Sequence, residues 1–317
     1  MQFISDQSLG ISNLPPGQLP PAAKSQLLRF GLAVLALSIA FAKPLYDLVR
    51  FASNSDTFSY ILLVPIVSLY LGWLKRGSLE PEFSRSLSAR CQHFVIALCF
   101  AVGLIALSVF FTAGYQFVPQ DRLCLSIAAY YFFLLGVGVT FLGSRIFKVF
   151  SFPVFFSVFM VPFPVALTNA IEIFFQHASA GAASAFIDLS GLPVVRDGLF
   201  FKLPGLSIQV AQECSGVKST LVLFITSVLA GHLFLRDQWK RVLLAVFVVP
   251  VAILRNGFRI WTLAWLTVQV DPNIIDSPLH HRGGPVFFVL SLIPLFLLLL
   301  LLRKFDHRAS SRHLGVM

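Results

Sequence analysis

The chain has 317 residues, of which 57% are hydrophobic and only 12% are charged, and its formal net charge is +10. Soluble globular domains carry about 25% charged residues, so this composition excludes a soluble domain, a disordered chain and a disulfide-stapled secreted module. It indicates a polytopic membrane protein. The four cysteines form no CxxC pair and no metal-ligand spacing. The sequence also contains no HExxH motif, no phosphate loop and no dinucleotide fingerprint, so we expect neither a metal nor a cofactor.

Eight apolar runs follow a polar N-terminal segment. They lie near 29–47, 57–74, 93–113, 123–142, 149–168, 214–235, 242–268 and 285–302, and we number them as predicted spans 1 to 8. A helix needs about 20 residues to cross a bilayer, and the runs lack the alternation of barrel strands. The sequence thus predicts an all-α membrane protein with about eight transmembrane helices. Its predicted parts are a flexible cytoplasmic tail (1–28), a transmembrane domain (29–302) and a basic cytoplasmic tail (303–317).

The basic residues predict the orientation of these spans. Of the 24 lysines and arginines, 15 lie in the two tails and in the loops after spans 2, 4 and 6, whereas five lie in the remaining loops. Cytoplasmic loops carry the excess of Lys and Arg in membrane proteins. Both termini are therefore predicted to be cytoplasmic, and this distribution accounts for most of the charge without a nucleic-acid partner.

Two outward segments differ from plain connectors. Ala170–Leu189 is moderately apolar with a centre of small residues, and it is predicted to form a short interfacial helix lying in the membrane plane. Gly191–Val210 alternates and contains Asp197-Gly198, which predicts a short β-hairpin on the outer face between spans 5 and 6. A polar segment near 269–284 contains two histidines.

Cys214 stands at the outer start of span 6, within Gln212-Glu213-Cys214-Ser215-Gly216. The free amides and the dipole of a helix N-terminus stabilise a thiolate. Lys218, one turn further on, would add positive charge on the same face. The alternative is an inert cysteine packed at a helix contact.

Span 7 contains Arg255, Asn256 and Arg259. A charge at the membrane centre costs about 2.5–3.5 kcal/mol on the insertion scale, so such residues normally face a hydrated, protein-lined cavity. The two arginines are four residues apart and share a face. A guanidinium there can bind an oxyanion or a carboxylate, and the alternative is structural ion pairing or snorkelling.

His280 and His281 precede span 8, again at the outer end. Histidine is the usual general acid and base near neutral pH, although a solvated loop histidine is the plainer interpretation. The predicted orientation brings Cys214, Arg259 and His280 near the same outer leaflet. A Cys activated by a His, with an Arg nearby, is a set of groups suited to acyl transfer.

At these residues the sequence resembles the exosortase/archaeosortase family of integral membrane cysteine transpeptidases. The family pattern is Cys-Ser-Gly at the head of a span, Asn-x-x-Arg in the next span, and a His followed by Gly before the last span. Here the motifs are Cys214-Ser215-Gly216, Asn256-Gly257-Phe258-Arg259, and His280 with Gly284 four residues later. The match covers about 150–302, and the earlier spans are compatible with it.

The resemblance implies that Cys214 is the nucleophile, Arg259 the stabiliser of the transition state or of a substrate carboxyl, and His280 the acid/base, with His281 as the open alternative. Arg255 is assigned to cavity electrostatics or to binding an acidic residue of the substrate. The expected supporting or substrate-binding residues are Glu213, Ser215, Lys218, Arg255, Asn256, His281 and Gly284.

The resemblance also implies the substrates and the location. The substrates would be exported proteins that end in a Pro-Glu-Pro-type motif, a hydrophobic helix and a basic cluster. The enzyme would cleave near that motif and pass the protein to water or another acceptor. It would lie in the bacterial inner membrane with its active site facing the periplasm. The expected partners are these substrates, the lipid bilayer and the exopolysaccharide-synthesis machinery.

Two other functions compete with this interpretation. In a transporter, Arg255, Arg259 and Lys218 would line an anion or proton path, although the sequence shows no inverted repeat. In a non-catalytic scaffold of an envelope polysaccharide system, alkylation of Cys214 would change nothing. Labelling of Cys214 with an impermeant thiol reagent, compared with function, discriminates these hypotheses.

Overall fold

The computed structural model describes residues 21–75, 88–203, 206–210, 215–271 and 284–314. The described chain is mostly helical. It divides into two compact units, Met1–Pro164 and Val165–Met317. The chemistry-bearing motifs all fall in the second unit.

The first unit contains five α-helices in its described part. They are α1 (Pro21–Ala40), α2 (Ala42–Asn54), α3 (Leu63–Lys75), α4 (Ala89–Thr112) and α5 (Pro119–Phe156), with 3₁₀ turns at Ser59–Leu62, Gly114–Gln116 and Ser157–Met160. Helix α5 is interrupted at Gly143, whose φ is 68°. Glycines admit aromatic rings between α4 and α5, because a Cβ at Gly103 would lie 2.7 Å from the Phe133 ring and one at Gly136 would lie 2.9 Å from the Phe100 ring.

The second unit combines four helices with a small sheet in its described part. Its elements are α6 (Val165–Ser190), β1 (Val195–Asp197), β2 (Phe200–Leu203), β3 (Leu206–Gln209), α7 (Val217–Phe234), α8 (Gln238–Gln269) and α9 (Gly284–Leu314). Helices α7, α8 and α9 share an apolar core that includes Leu223, Leu244, Val248, Leu295 and Leu299.

The sheet is antiparallel, with strand order β1-β2-β3. The segment for which the sequence predicted one hairpin thus contains three strands, because β3 pairs with the free edge of β2. Asp197 pairs with Phe200 across a two-residue turn in which Gly198 has a φ of 63°. Lys202 donates a 2.8 Å hydrogen bond to Asp197, which lowers the pKa of that exposed carboxyl.

A basic side chain fixes the turn between α7 and α8. Arg241 donates two hydrogen bonds, of 3.0 and 2.8 Å, to the carbonyl oxygen of Leu235. Lys240 is buried and forms a 2.8 Å ion pair with Asp237. Two of the basic residues counted in this predicted cytoplasmic loop are therefore also part of the packing of the unit.

Five helices of the described chain are long and apolar enough to cross a membrane, or up to seven if each of two broken pairs forms one span. This confirms a polytopic helical membrane protein, and the exact number of spans stays a prediction. Predicted span 1 is divided at Phe41, where α1 and α2 meet at 75°. Predicted span 2 is a 3₁₀ turn followed by the 13-residue α3.

The predicted interfacial helix lies within the 26-residue α6, one face of which is buried. Helix α6 is bent by 88° from the helical segment that ends at Met160, and its position in the membrane plane stays a prediction. Predicted span 5 ends before it, because the chain leaves the helical conformation at Val161–Pro164. Pro162 and Pro164 lack the amide hydrogen that a helix needs, and their rings clash with the preceding turn. The orientation of the chain in the membrane stays a prediction.

Candidate functional site

Helix α7 is much shorter than its antiparallel neighbour α8, with 18 residues against 32. The two helices are joined at Leu235–Asp237, and α7 begins beside the middle of α8, where Arg255 Nη2 lies 3.2 Å from the carbonyl oxygen of Gly216. Helix α8 continues to Gln269, about 20 Å further at 1.5 Å per residue. The start of α7 therefore lies beside the middle of α8, about 20 Å from the C-terminal end of α8.

The small sheet packs on this second half of α8. Phe201, Leu203 and Val210 are buried in one cluster with Ala264 of α8 and with residues of α6, and Ile260 and Val268 border the same cluster. The chain segment 211–214 connects the end of the sheet to the start of α7. It thus joins two elements that contact successive parts of α8.

Gly216 forms an unusually constrained helix start. Its φ of 76° is left-handed, and a Cβ at this position would lie 2.6 Å from Arg255 Nη2 and 3.3 Å from the Asn256 side chain. Its carbonyl oxygen accepts hydrogen bonds from the Thr220 amide at 3.0 Å, from the Thr220 and Ser219 hydroxyls, and from Arg255. Both the conformation and the surroundings require glycine here.

Arg255 is buried, with 7% of its surface exposed, and its Nη1 has no hydrogen-bond partner among the described residues. A buried N–H group without an acceptor is costly, so Nη1 has the capacity to bind a further acceptor while Nη2 binds Gly216. Asn256 beside it is 2% exposed, whereas Arg259, one turn further along α8, is partly exposed. Two guanidinium groups on one face of α8 make this region favourable for an anion.

The other end of segment 211–214 is also fixed. Val210 is buried, and its amide donates a 3.0 Å hydrogen bond to the carbonyl oxygen of Leu199. The Gln176 side chain of α6 donates a 2.6 Å hydrogen bond to the Val210 carbonyl oxygen. Val210 and the Arg255-bound Gly216 thus lie shortly before and shortly after Cys214 in sequence, and both have fixed backbones.

Helix α9 begins near the same part of α8. Phe287, in its first turn, has its ring centroid 6.3 Å from that of Phe258, which also contacts Phe186 and Trp261. Gly284, the first residue of α9, lies three residues earlier. The polar segment that contains His280 and His281 therefore leads into a helix that starts next to Phe258, between Arg255 and the end of α8.

A close helix contact supports this arrangement. A Cβ at Gly257 would lie 2.6 Å from the Cβ of Ala182 and 3.0 Å from the backbone nitrogen of Ala183. Gly257 thus lets α8 approach the small residues in the middle of α6. The Trp261 indole adds a 3.0 Å hydrogen bond to Ser190 at the end of α6.

The structure brings together several residues predicted from the sequence. Ser215 is buried next to Gly216, Arg255 and Asn256 surround Gly216, and Arg259 lies one turn away. Lys218 is exposed in the first turn of α7. Four predicted site residues lie outside the described residues: Glu213, Cys214, His280 and His281.

Gln176, which donates a hydrogen bond to Val210, was not predicted from the sequence, and neither was the packing role of Gly257. A signal for the second was present, because Gly257 and the small residues of α6 allow two helices to approach closely. Within the described part of the chain, no group of three His, Cys, Asp or Glu residues could hold a metal ion.

These features define a class: a polytopic helical membrane protein in which a helix start after a cysteine-containing segment meets an arginine-bearing helix. The family model for transmembrane exosortases matches residues 52–297, and the chain belongs to that family. No curated protein and no solved structure gave a significant match.

Proposed function

We propose that this exosortase is a membrane-embedded cysteine protease/transpeptidase that cleaves the C-terminal sorting signal of exported proteins. The observation that supports this most strongly is the hydrogen bond between Arg255 and Gly216. It joins the Cys-Ser-Gly motif to Arg255, the residue directly before the Asn-x-x-Arg motif of α8, although 39 residues separate Gly216 and Arg255 in sequence. Helix α9, which follows the histidine segment, starts beside the same part of α8.

The proposed reaction uses three side chains. His280 takes the proton of the Cys214 thiol, and the thiolate attacks the carbonyl carbon of the scissile peptide bond. Arg259 stabilises the oxyanion of the tetrahedral intermediate. The C–N bond then breaks as His280 returns the proton to the leaving amine, which leaves a thioester on Cys214. Water or an acceptor nucleophile attacks this thioester, with His280 as base, and releases the thiol.

The two arginines have different proposed roles. Arg255 binds the carbonyl oxygen of Gly216, so it fixes the backbone that follows the nucleophile. Arg259 is more exposed than Arg255 and lies one turn closer to the end of α8 where α9 begins. A substrate carbonyl that reaches Cys214 from the side of the sheet would therefore meet Arg259 first.

The distribution of basic residues supports the proposed location. The two termini lie in the cytoplasm, and the site faces the periplasm of the inner membrane. The proposed substrates carry a Pro-Glu-Pro-type motif, an apolar helix and a basic cluster. Their basic cluster would stop on the cytoplasmic side, so the motif would enter the site from outside.

A reporter protein with such a C-terminal signal tests the proposal. Cys214→Ala, Arg259→Ala and His280→Ala should each abolish its processing, and unprocessed reporter should accumulate in the membrane. Cys124→Ala, which changes a cysteine in α5 of the other unit, is the matched control and should process normally. Normal maturation in the Cys214→Ala strain, with the variant inserted at the usual level, would rule out the proposal.

A further inference from the structure

The outer edge of β3 carries backbone groups that the sheet does not use. On one side β3 pairs with β2, and no second strand borders it among the described residues. The amide of Val210 donates to the carbonyl oxygen of Leu199. Because hydrogen-bonded and non-bonded pairs alternate in an antiparallel ladder, Ile208 directs its backbone groups towards β2. Ser207 and Gln209 therefore direct theirs away from it, and both residues are exposed.

The two edges of the sheet differ in charge. The β1 edge carries two charged residues. Arg196 donates a hydrogen bond to the carbonyl oxygen of Gly198, and Asp197 accepts one from Lys202. Charged side chains on an edge strand oppose the addition of another strand. The described side chains of β3 are Ser207, Ile208 and Gln209, and they bring no charge to their edge. Of the two edges, that of β3 is the better suited to accept a strand.

The β3 edge is also continuous with the candidate site. Gln209 is five residues before Cys214, and Val210 between them is fixed by Gln176. A peptide paired with β3 would thus lie along the backbone that leads to the nucleophile. Peptides that bind by strand addition gain affinity from main-chain hydrogen bonds and specificity from alternate side chains.

We propose that the outer edge of β3 binds the extended segment of the protein substrate just before the scissile bond, as a fourth strand. This inference rests on the proposed function. The exported part of the substrate precedes the scissile bond and the membrane helix follows it. The bound segment therefore runs parallel to β3, which leads from the sheet towards α7.

The parallel arrangement specifies the hydrogen bonds. A substrate residue opposite Ile208 donates its N–H to the carbonyl oxygen of Ser207 and accepts from the N–H of Gln209. The residues before and after it direct their backbone groups away from β3. Proline at those two positions would therefore lose no hydrogen bond to the enzyme. A Pro-x-Pro pattern would present only the central residue for pairing.

Proline substitutions in the full-length protein test this edge. Gln209→Pro removes the N–H that faces the substrate but no hydrogen bond to β2, and it should raise the KM for the reporter about three- to tenfold, as the loss of one hydrogen bond predicts. Arg196→Pro removes an outward N–H from the β1 edge and should leave KM unchanged. Equal effects at both edges, or no effect at Gln209, would overturn the proposal.

Photocrosslinking separates this proposal from the proposed function, because it needs no cleavage. In a Cys214→Ala background, p-benzoylphenylalanine at position 207 should crosslink to the reporter segment before its apolar helix, and the same group at position 196 should not. If the reporter crosslinks but the wild-type protein does not process it, substrate binding at the β3 edge is supported and the proposed peptidase activity is rejected. Processing without crosslinking from position 207 would reject the β3 edge alone, and the absence of both would reject both.

Discussion

Replacement of Gly216 by alanine should destabilise the second unit more than alanine does at a left-handed glycine with open space around it. An alanine in the left-handed conformation costs about 1–2 kcal/mol. The new Cβ would also lie 2.6 Å from Arg255 Nη2, so the buried guanidinium must leave the Gly216 carbonyl. A lost hydrogen bond to a charged group costs about 1.5–3 kcal/mol. We therefore expect a loss of about 2.5–5 kcal/mol in the free energy of unfolding.

Gly191 provides the matched control for this prediction. It lies in the same unit, its φ is 65°, and a Cβ there would meet no atom within 4 Å. Gly191→Ala should therefore cost only about 1–2 kcal/mol. Denaturant titration of both variants in detergent micelles, followed by tryptophan fluorescence, measures the difference. Equal losses for the two variants would show that the contact of Gly216 with Arg255 contributes nothing.

A double-mutant cycle with Arg255 identifies the source of the loss. Arg255→Met removes the hydrogen bond by itself, so Gly216→Ala should cost much less in that background than in the wild type. If the losses in the free energy of unfolding from the two substitutions are fully additive, the clash of the new Cβ with the Arg255 guanidinium is not the cause of the loss at Gly216.

Three further substitutions test the packing around the site. Gly257→Ala should cost about 1–3 kcal/mol by overpacking against α6, with partial rescue by Ala182→Gly, and a neutral effect in the unfolding titration would contradict the close contact. Gln176→Leu should cost about 1–3 kcal/mol, because it leaves the buried Val210 carbonyl without its donor, and it should slow reporter processing. Normal processing of the reporter by Gln176→Leu would show that Gln176 does not contribute to the function of the site. Arg241→Met should cost about 1.5–3 kcal/mol by removing both hydrogen bonds to the α7–α8 turn, and an unchanged titration would show that the turn does not depend on them.

The helical fold could be predicted because apolar runs report directly on burial in lipid. Predicted span 7 and helix α8 agree to within a few residues. The breaks were harder to predict, since the run 149–168 stays apolar through Pro162 and Pro164 and hydropathy does not register backbone geometry. The third strand was missed because Leu206–Gln209 follows a Pro-Gly pair that reads equally well as the end of a hairpin.

The candidate site could be predicted only in its residue types. Arg255, Asn256 and Arg259 are all recognisable in the sequence because they are polar residues in an apolar span. That Arg255 binds Gly216 depends on the lengths of α7 and α8 and on the turn that aligns them, which no local pattern encodes. The left-handed conformation of Gly216 likewise follows from tertiary contacts, and the role of Gln176 depends on where the sheet ends.

The proposed mechanism requires that Cys214 form a covalent intermediate in a site built on α8. Purified wild-type protein should therefore be incubated with the reporter, quenched in acid and examined by mass spectrometry. We predict a hydroxylamine-labile thioester on Cys214 that carries the reporter up to the scissile bond, and no adduct in Arg259→Ala. Cleavage of the reporter at an undiminished rate by Cys214→Ala, with no acyl adduct on the wild-type enzyme, would contradict covalent catalysis by Cys214.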